Sequence, residues 1–181
     1  MRPASSRDPR QPPPPLPDDP AGLSRAAIDS ALAHGFAAAG VLAASRPLSF
    51  ERYRAWLERG LSGEMTYLER DAAARQRFES VLPYTRAVLA VARAVEGRGP
   101  GNVAQFARGE DYHRVVRRHL KAVVEDLRRI APRGTHFRVC VDTAPLLERE
   151  LAARAGVGFL GKNGLLIVPG LGSHVVLGEV L

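Results

Sequence analysis

The sequence predicts an α+β fold, a mixed sheet flanked by helices. Three observations carry this expectation. Apolar runs of strand length at 36–43, 87–92, 137–141 and 175–181 alternate with amphipathic stretches of helix length. Glycines punctuate the ends of both kinds of segment. The last apolar runs, 165–168 and 175–181, are separated only by a glycine-rich loop, and so read as a hairpin rather than as strands joined by a helical crossover.

Residues 1–22 are Pro-rich, with Pro12 to Pro15 consecutive, and read as a disordered, locally polyproline-like tail before one domain over 23–181. Leu23 to His34 has helical period and stops at Gly35, and Phe36 to Ala43 follows as a buried strand. Ser49 is placed to cap a helix through Tyr53, Trp56 and Leu57 that ends at Gly60. Ala87 to Ala92 is another strand, and Gly97 to Gly101 a loop. The longest helix starts near Asp111, with Val115, Val116, Leu120, Val123, Leu127 and Ile130 on its buried stripe. Arg114, Arg117, Arg118, Lys121, Arg128 and Arg129 lie mostly outside that stripe; such charge usually only solvates a helix, and Glu125 and Asp126 interrupt it.

With 181 residues and 45% hydrophobic content, the chain can bury an ordinary core. The net charge is +7, and because residues 1–20 carry three basic and three acidic side chains, the whole excess lies after Pro20. A basic folded region favours a polyanionic partner such as RNA. No run of about eighteen apolar residues exists to span a bilayer and no signal-peptide core is present, so a cytoplasmic location with no membrane partner is expected. Cys140, the one cysteine, excludes an intramolecular disulfide and reads as a buried small residue between Val139 and Val141. The five histidines lack zinc-ligand spacing, so no metal site is expected.

The most informative stretch begins at Phe137. A strand to Val141 puts Asp142 at its carboxyl end, and Pro145 opens a helix through Leu146, Leu147, Leu151 and Ala155 that stops at Gly156. Gly156, Gly158 and Gly161 then fit the letters of G-x-G-x-x-G, and Gly161-Lys162 those of a P-loop. Both motifs require a strand before the glycines and a helix after them, so that phosphate meets a helix N-terminus. Here a helix comes first and Leu165 to Val168 follow as a strand, which rejects both. What remains is a backbone loop able to approach a large flat ligand closely. On residue type alone, Asp142 is a helix N-cap.

Several blocks together resemble the amino-terminal half of epoxyqueuosine reductases. They are Asp142-Thr143-Ala144-Pro145-Leu146-Leu147-Glu148; Ala155 to Asn163; Leu171-Gly172-Ser173; Gly178-Glu179; Phe106 to His113; and Gly35-Phe36 with Tyr53, Trp56, Leu57 and Gly63-Glu64-Met65. The resemblance implies a nitroreductase-like corrinoid-binding domain and a cobalamin-dependent oxidoreductase of tRNA modification, reducing epoxyqueuosine at the wobble position to queuosine. It implies Asp142 as proton donor, desolvated beneath the corrin so that its acidity falls into a useful range. Tyr112 and His113 would contact substrate or cofactor, and Gly158, Gly161, Lys162, Asn163, Leu171, Gly172 and Ser173 would line the cobalamin site.

The family also carries two [4Fe–4S] clusters. One cysteine cannot ligate them, so this chain reads as a fragment or early stop that depends on an external electron donor and is not competent for turnover alone. Three positions depart from the family's pattern: His174 stands where an aromatic, usually tryptophan, is expected, Phe159 replaces a common tryptophan, and Gly164 stands where a hydroxyl residue is frequent. The alternatives are a noncatalytic corrinoid-binding or trafficking protein and a basic tRNA-binding module without cofactor.

Overall fold

The first helix, α1 (Pro20–Ala33), starts where the Asp19 carboxylate accepts the Gly22 N–H at 2.7 Å and ends at Gly35, whose φ of +83° suits a residue without a Cβ. After it come β1 (Ala38–Ala43), α2 (Phe50–Glu58), α3 (Thr66–Arg70), 3₁₀ turns at Ala73–Gln76 and Phe78–Ser80, and β2 (Ala87–Ala94). A further 3₁₀ turn at Gln105–Ala107 leads into α4 (Tyr112–Ile130), β3 (Val139–Cys140), α5 (Glu148–Arg154), β4 (Phe159–Leu160), β5 (Leu166–Ile167) and β6 (Val175–Val180). This computed structural model describes residues 18–95 and 101–181; most of the expected Pro-rich tail and of the 97–101 loop lies outside the described residues.

The main sheet has the order β1-β2-β6-β3. The α+β class is as expected, but all three pairings are antiparallel rather than mixed. The α4 crossover does leave β2 and β3 parallel to each other. Strand β6 then inserts between them, antiparallel to both, and no parallel pair is hydrogen-bonded.

The terminal hairpin is also different from the expectation. Strand β5 pairs with β4 (Phe159↔Ile167, Leu160↔Leu166), and the loop towards β6 closes on itself through a Val168–Gly172 bridge. Glycine permits the earlier closure: a Cβ on Gly158 would sit 2.4 Å from the Ile167 carbonyl oxygen.

The sheet separates two helical layers. Leu89, Val91 and Val180 pack with α1 and with Val116, Leu120, Val123, Val124 and Leu127 of α4. On the other face, Val88 and Cys140 pack around Leu151 of α5, and Ala90 and Ala92 around Ala152, Val157 and Leu166. Strand β2 is thus buried on both sides, which is why it reads as a continuous apolar run. Helix α4 presses so closely on β6 that a Cβ at Gly178 would come within 2.9 Å of Leu120 and Val116. Val115 is only half-buried, and Ile130, at the helix's last position before the chain turns away at Ala131, is 55% exposed and leaves the expected stripe.

Ser49 precedes α2 as expected but makes no side-chain cap. The buried Glu150 of α5 draws it instead, accepting the Leu48 and Ser49 N–H groups at 2.7 and 2.8 Å and the Ser49 hydroxyl, while pairing with Arg154 at 3.2 Å. Burial pushes the Glu150 carboxyl up, but these donors outweigh it and hold it below its usual value of 4.5. Replacing Glu150 with alanine leaves those donors unpaired and should destabilise the fold by about 1.5–3 kcal/mol in urea denaturation. Because the folded-state value is depressed, the carboxylate's contribution is present above pH 4.5 and is lost as pH falls through the folded value. The stability gap between wild type and Glu150→Gln should therefore shrink in acid.

Candidate active site

Past β3 the chain reverses sharply. The Thr143 N–H reaches the Val141 carbonyl at 2.6 Å, and Asp142 takes a φ of +57°, a left-handed conformation that Asp and Asn tolerate better than most residues. The Asp142 side chain thereby meets the first turn of α4. The Tyr112 hydroxyl donates to Asp142 Oδ2 at 3.1 Å, and His113 Nε2 lies 3.2 Å from the same oxygen. His113 Nδ1 lies 2.8 Å from Asp111 Oδ1, which also accepts the His113 backbone N–H at 2.9 Å and so caps α4. Phe106 packs edge-on against Tyr112 with ring centroids 5.9 Å apart.

Asp142 is not a helix cap, contrary to its plainest reading. Helix α5 begins at Glu148 with Leu147 at its N-cap, and Pro145 lies outside it. A residue before proline is pushed out of helical geometry, which delays the helix past Ala144 and Pro145. The strand likewise is shorter than expected, with ladder pairing at Val139 and Cys140 and a reciprocal pair of bonds between Arg138 and Leu181.

Burial and the neighbouring Asp142 charge push the Tyr112 phenol up to about 12, so it stays protonated as a donor. Burial alone would lower the His113 imidazole, but hydrogen bonds to Asp111 and Asp142 outweigh it and raise it above the usual 6.5. Bonding from the His113 side chain and backbone holds Asp111 low. An imidazolium between two carboxylates and a phenol on one of them form a unit that can hold a proton and pass it to Asp142 Oδ2. The Asp142 side chain is 60% exposed, so an incoming molecule can reach it.

A second layer lies behind. The Asp142 backbone N–H donates to Glu148 Oε1 at 2.8 Å. Burial pushes the Glu148 carboxyl up to about 7, against the opposing effect of that bond. Beside it, Glu179 of β6 is fully buried, with no partner for its carboxyl other than that of Glu148; burial and the Glu148 charge raise it well above its usual value of 4.5. Cys140, in register with Glu179, has its thiol raised by burial to about 11, which suits an inert core residue.

The expected cofactor-lining residues form a separate group on the β4–β5 hairpin and its following loop. Gly161 to Leu165 make the hairpin turn, in which Asn163 Oδ1 accepts the Leu165 N–H at 3.1 Å and Lys162 is exposed. Leu171 and Gly172 turn back on the Val168 carbonyl, with Ser173 next. Gly158 and Gly161 owe their identity to packing within the hairpin: a Cβ on Gly161 would lie 2.6 Å from Ile167 Cδ1 and 2.7 Å from Asn163 Oδ1. Four apolar side chains nonetheless stand exposed here, namely Phe159, Leu160, Leu165 and Leu171. Exposed apolar side chains beside backbone turns have the chemistry to receive the flat side of a macrocycle. The first turn of α5 ties both groups together, since Glu148 holds Asp142 and Arg149 donates to the Gly164 carbonyl. His174 Nδ1 is engaged by Gln105 Oε1 at 3.0 Å. Among the described residues no cluster of His, Cys, Asp or Glu could hold a metal ion.

On the far side of the Asp142 loop, Thr143, Ala144 and Pro145 border an open groove of about 790 Å³. Arg117, Lys121, Arg128 and Arg138 line it, against one acid, Glu125, which pairs with Arg128 at 2.6 Å.

Sequence reasoning placed Tyr112, His113 and Asp142 but assigned nothing to Asp111, Glu148, Glu179 or the groove. A lone carboxyl in the otherwise apolar run 175–181 was the available signal for Glu179.

A family model described as epoxyqueuosine reductase QueG, DUF1730, matches residues 75–143. The epoxyqueuosine reductase of Synechococcus sp. (strain RCC307) is 36% identical over 174 residues, which is 90% of this chain and 53% of that protein. The chain is thus similar to epoxyqueuosine reductases over most of its length. The Escherichia coli (strain K12) relative is 34% identical over 158 residues, 81% of this chain and 41% of its own length. The chain thus spans about half the length of the curated relatives it matches.

Among solved structures, an epoxyqueuosine reductase with a tRNA-Tyr epoxyqueuosine-modified stem loop superposes with a TM-score of 0.75 at 26% identity, covering 88% of this chain and 44% of the other. The Bacillus subtilis enzyme, captured with its aspartate-bearing catalytic loop swung out of the active site, gives 0.73 at 26% over the same 88% and 44%. A reductive dehalogenase shares the fold at a TM-score of 0.55 and 22% identity, covering 93% of this chain and 21% of that one. No described helix is long and apolar enough to cross a membrane.

If Asp142 holds the imidazolium as drawn, His113 should titrate above 6.5 in the wild-type chain, and its midpoint should fall in Asp142→Asn. Carbon-detected NMR of the ring measures this, and an unchanged midpoint would show that the pair does not form in solution.

Proposed function

We propose that this chain supplies the cofactor-binding and proton-delivering part of an epoxyqueuosine reductase, with Asp142 as the proton donor to the epoxide oxygen. The observation that carries the reading is the convergence of Tyr112 and His113 on one oxygen of the Asp142 carboxyl. Opening an epoxide leaves an alkoxide unless a proton arrives with bond cleavage, so an acid must stand at the oxygen. Conversion of the epoxide to an alkene consumes two electrons and two protons and releases water. Asp142, exposed at a loop tip, can give one proton, and the raised His113 imidazolium at 3.2 Å can restore it. Tyr112 fixes the carboxyl's orientation and, with its high affinity for its own proton, is the poorer source.

Cobalamin, when bound, supplies the reductant that attacks or reduces the epoxide carbon. The exposed apolar side chains of the β4–β5 hairpin and the adjoining loop, with backbone at Gly158, Gly161, Leu171, Gly172 and Ser173 and polar groups on Lys162 and Asn163, are the residues that would hold it. Similarity to epoxyqueuosine reductases supports this, as does a fold shared with a dehalogenase of B12-dependent chemistry. The electrons come from outside the described chain, through the iron–sulfur clusters expected elsewhere in the full enzyme, and tRNA places the reaction in the cytoplasm.

The tRNA itself fits the basic groove, which borders the Asp142 loop and so can take backbone phosphates while the modified base reaches the carboxyl. The relative carrying a tRNA stem loop supports an RNA partner, and the relative with a displaced loop supports two positions for the Asp142 loop here.

In an enzyme assembled with its iron–sulfur module, Asp142→Asn keeps the left-handed backbone tolerable and removes the acid. Turnover should fall roughly 10²–10⁴-fold while cobalamin binding survives. Near-normal epoxide reduction by the folded variant would move the donor role to His113. In the same enzyme, Leu160→Asp on the exposed hairpin face should weaken cobalamin uptake, measured by absorbance, without lowering thermal stability. Loss of cobalamin binding is the expected result, and unaltered uptake would remove this face from the cofactor site. A Lys121→Glu variant should weaken stem-loop binding and flatten its salt dependence. Stem-loop binding by a wild-type chain that takes up no cobalamin would favour the cofactor-free tRNA-binding module instead.

A further inference from the structure

We propose that Glu148 is a positioning residue that holds the Asp142 loop inward, and that it acts as one half of a carboxyl pair with Glu179 whose shared proton sets how firmly the loop is held. The proposal rests on the reading of Asp142 as proton donor for its purpose, while its geometry is independent of cofactor and substrate.

The loop runs from Val141 to Leu147, and the Asp142 N–H is anchored to the Glu148 carboxyl at 2.8 Å. That carboxyl stands at the first position of α5, so the acceptor belongs to a rigid element while the donor belongs to the loop. Glu179 sits behind it in β6 with no exposed surface and no partner for its carboxyl other than the Glu148 carboxyl. An isolated carboxylate is too costly to bury in that state, so Glu179 keeps its proton, and the adjacent Glu148 is the acceptor within reach. Two carboxyls so placed titrate as a unit.

Other groups face the pair from each surrounding element. Arg75, in the turn at Ala73–Gln76, has a buried Nη1 without a hydrogen bond and favours an ionised Glu148. Asp142 on the loop disfavours ionisation, and Tyr112 on α4 senses the Glu148 charge. Cys140, itself beside Arg138, faces both carboxyls from β3. Burial dominates for Glu148 and lifts it to about 7, and the bond from Asp142 N–H opposes that rise. By linkage, a bond that favours ionisation is itself strengthened by ionisation. Raising the pH through about 7 therefore tightens the hold on Asp142, whereas the cost to the stability of the whole fold accrues earlier, between the ordinary value of 4.5 and about 7, where the unfolded chain has ionised and the folded one still keeps the proton. A tightened loop keeps the Asp142 carboxyl against Tyr112 and His113; a loosened one permits the outward swing proposed above.

The test follows the Asp142 amide proton by NMR in the ¹⁵N-labelled full chain, in a His113→Gln background so that imidazole titration does not contribute. The amide should move downfield as pH rises through about 7. In Glu148→Gln it should stay near its low-pH position with no step, because the amide oxygen still accepts but cannot ionise. In Glu179→Leu, which removes the proton donor to Glu148, the midpoint should rise, whereas Glu179→Gln should leave it near its original value. A step that persists in Glu148→Gln overturns the positioning role. An unchanged midpoint in Glu179→Leu overturns the pair, and if that variant does not fold, the Glu148→Gln profile decides. None of these readings involves cobalamin, tRNA or turnover, so the proposed reaction and this device fail by different measurements.

Discussion

The contact between α4 and β6 at Gly178 governs where the chemistry sits. Strand β6 lies between β2 and β3, and the absence of a side chain at Gly178 lets Val116 and Leu120 settle onto the sheet. This fixes the height and rotation of α4, and with them the position of Tyr112 and His113 at its first turn. On the other side of β6, β3 delivers Asp142 to the same end of the sheet. Residues about thirty positions apart in sequence therefore meet because one strand separates, and one glycine spaces, the elements that carry them.

The two faces of β6 have different tasks. Gly178 serves the apolar layer beneath α4, where close packing is the whole requirement. Its neighbour Glu179 points the other way, paired in register with Cys140 and Ala90, towards α5 and Glu148. An alternation of period two thus puts a packing device and a titrating group side by side. Buried acids of this kind are destabilising, and they occur where charge state matters to a loop or a site.

Much of the fold was legible because its signals are local. Gly35 after a helix, the unbroken apolar run of β2 and the long stripe of α4 each follow from side-chain period and backbone preference. What was misread depended on which partner a segment finds, which its own pattern does not name. Ser49 has the residue type of a cap, but Glu150, about a hundred positions away, takes its hydroxyl. The last strands looked like neighbours because a glycine loop joins them, yet the closer approach allowed at Gly158 gives β5 to β4. The site behaved similarly. Asp142, Tyr112 and His113 were accessible through a family resemblance, whereas the pairing of Glu148 with Glu179 depends on the register of β6 against β3, which no local pattern encodes.

The left-handed turn at Asp142 bears on which residues this position can accept. At a φ of +57° a β-branched or bulky side chain would crowd its own backbone, and glycine, asparagine and aspartate are the residues that fit with little strain. The proton-donor role proposed for Asp142 independently demands an ionisable side chain. Conformation and chemistry act as two separate filters on one codon, and aspartate alone passes both. Drift at this position is therefore confined to changes that keep the shape and lose the acid, so a relative carrying asparagine or glycine here would retain the loop as a structural relic without its proton.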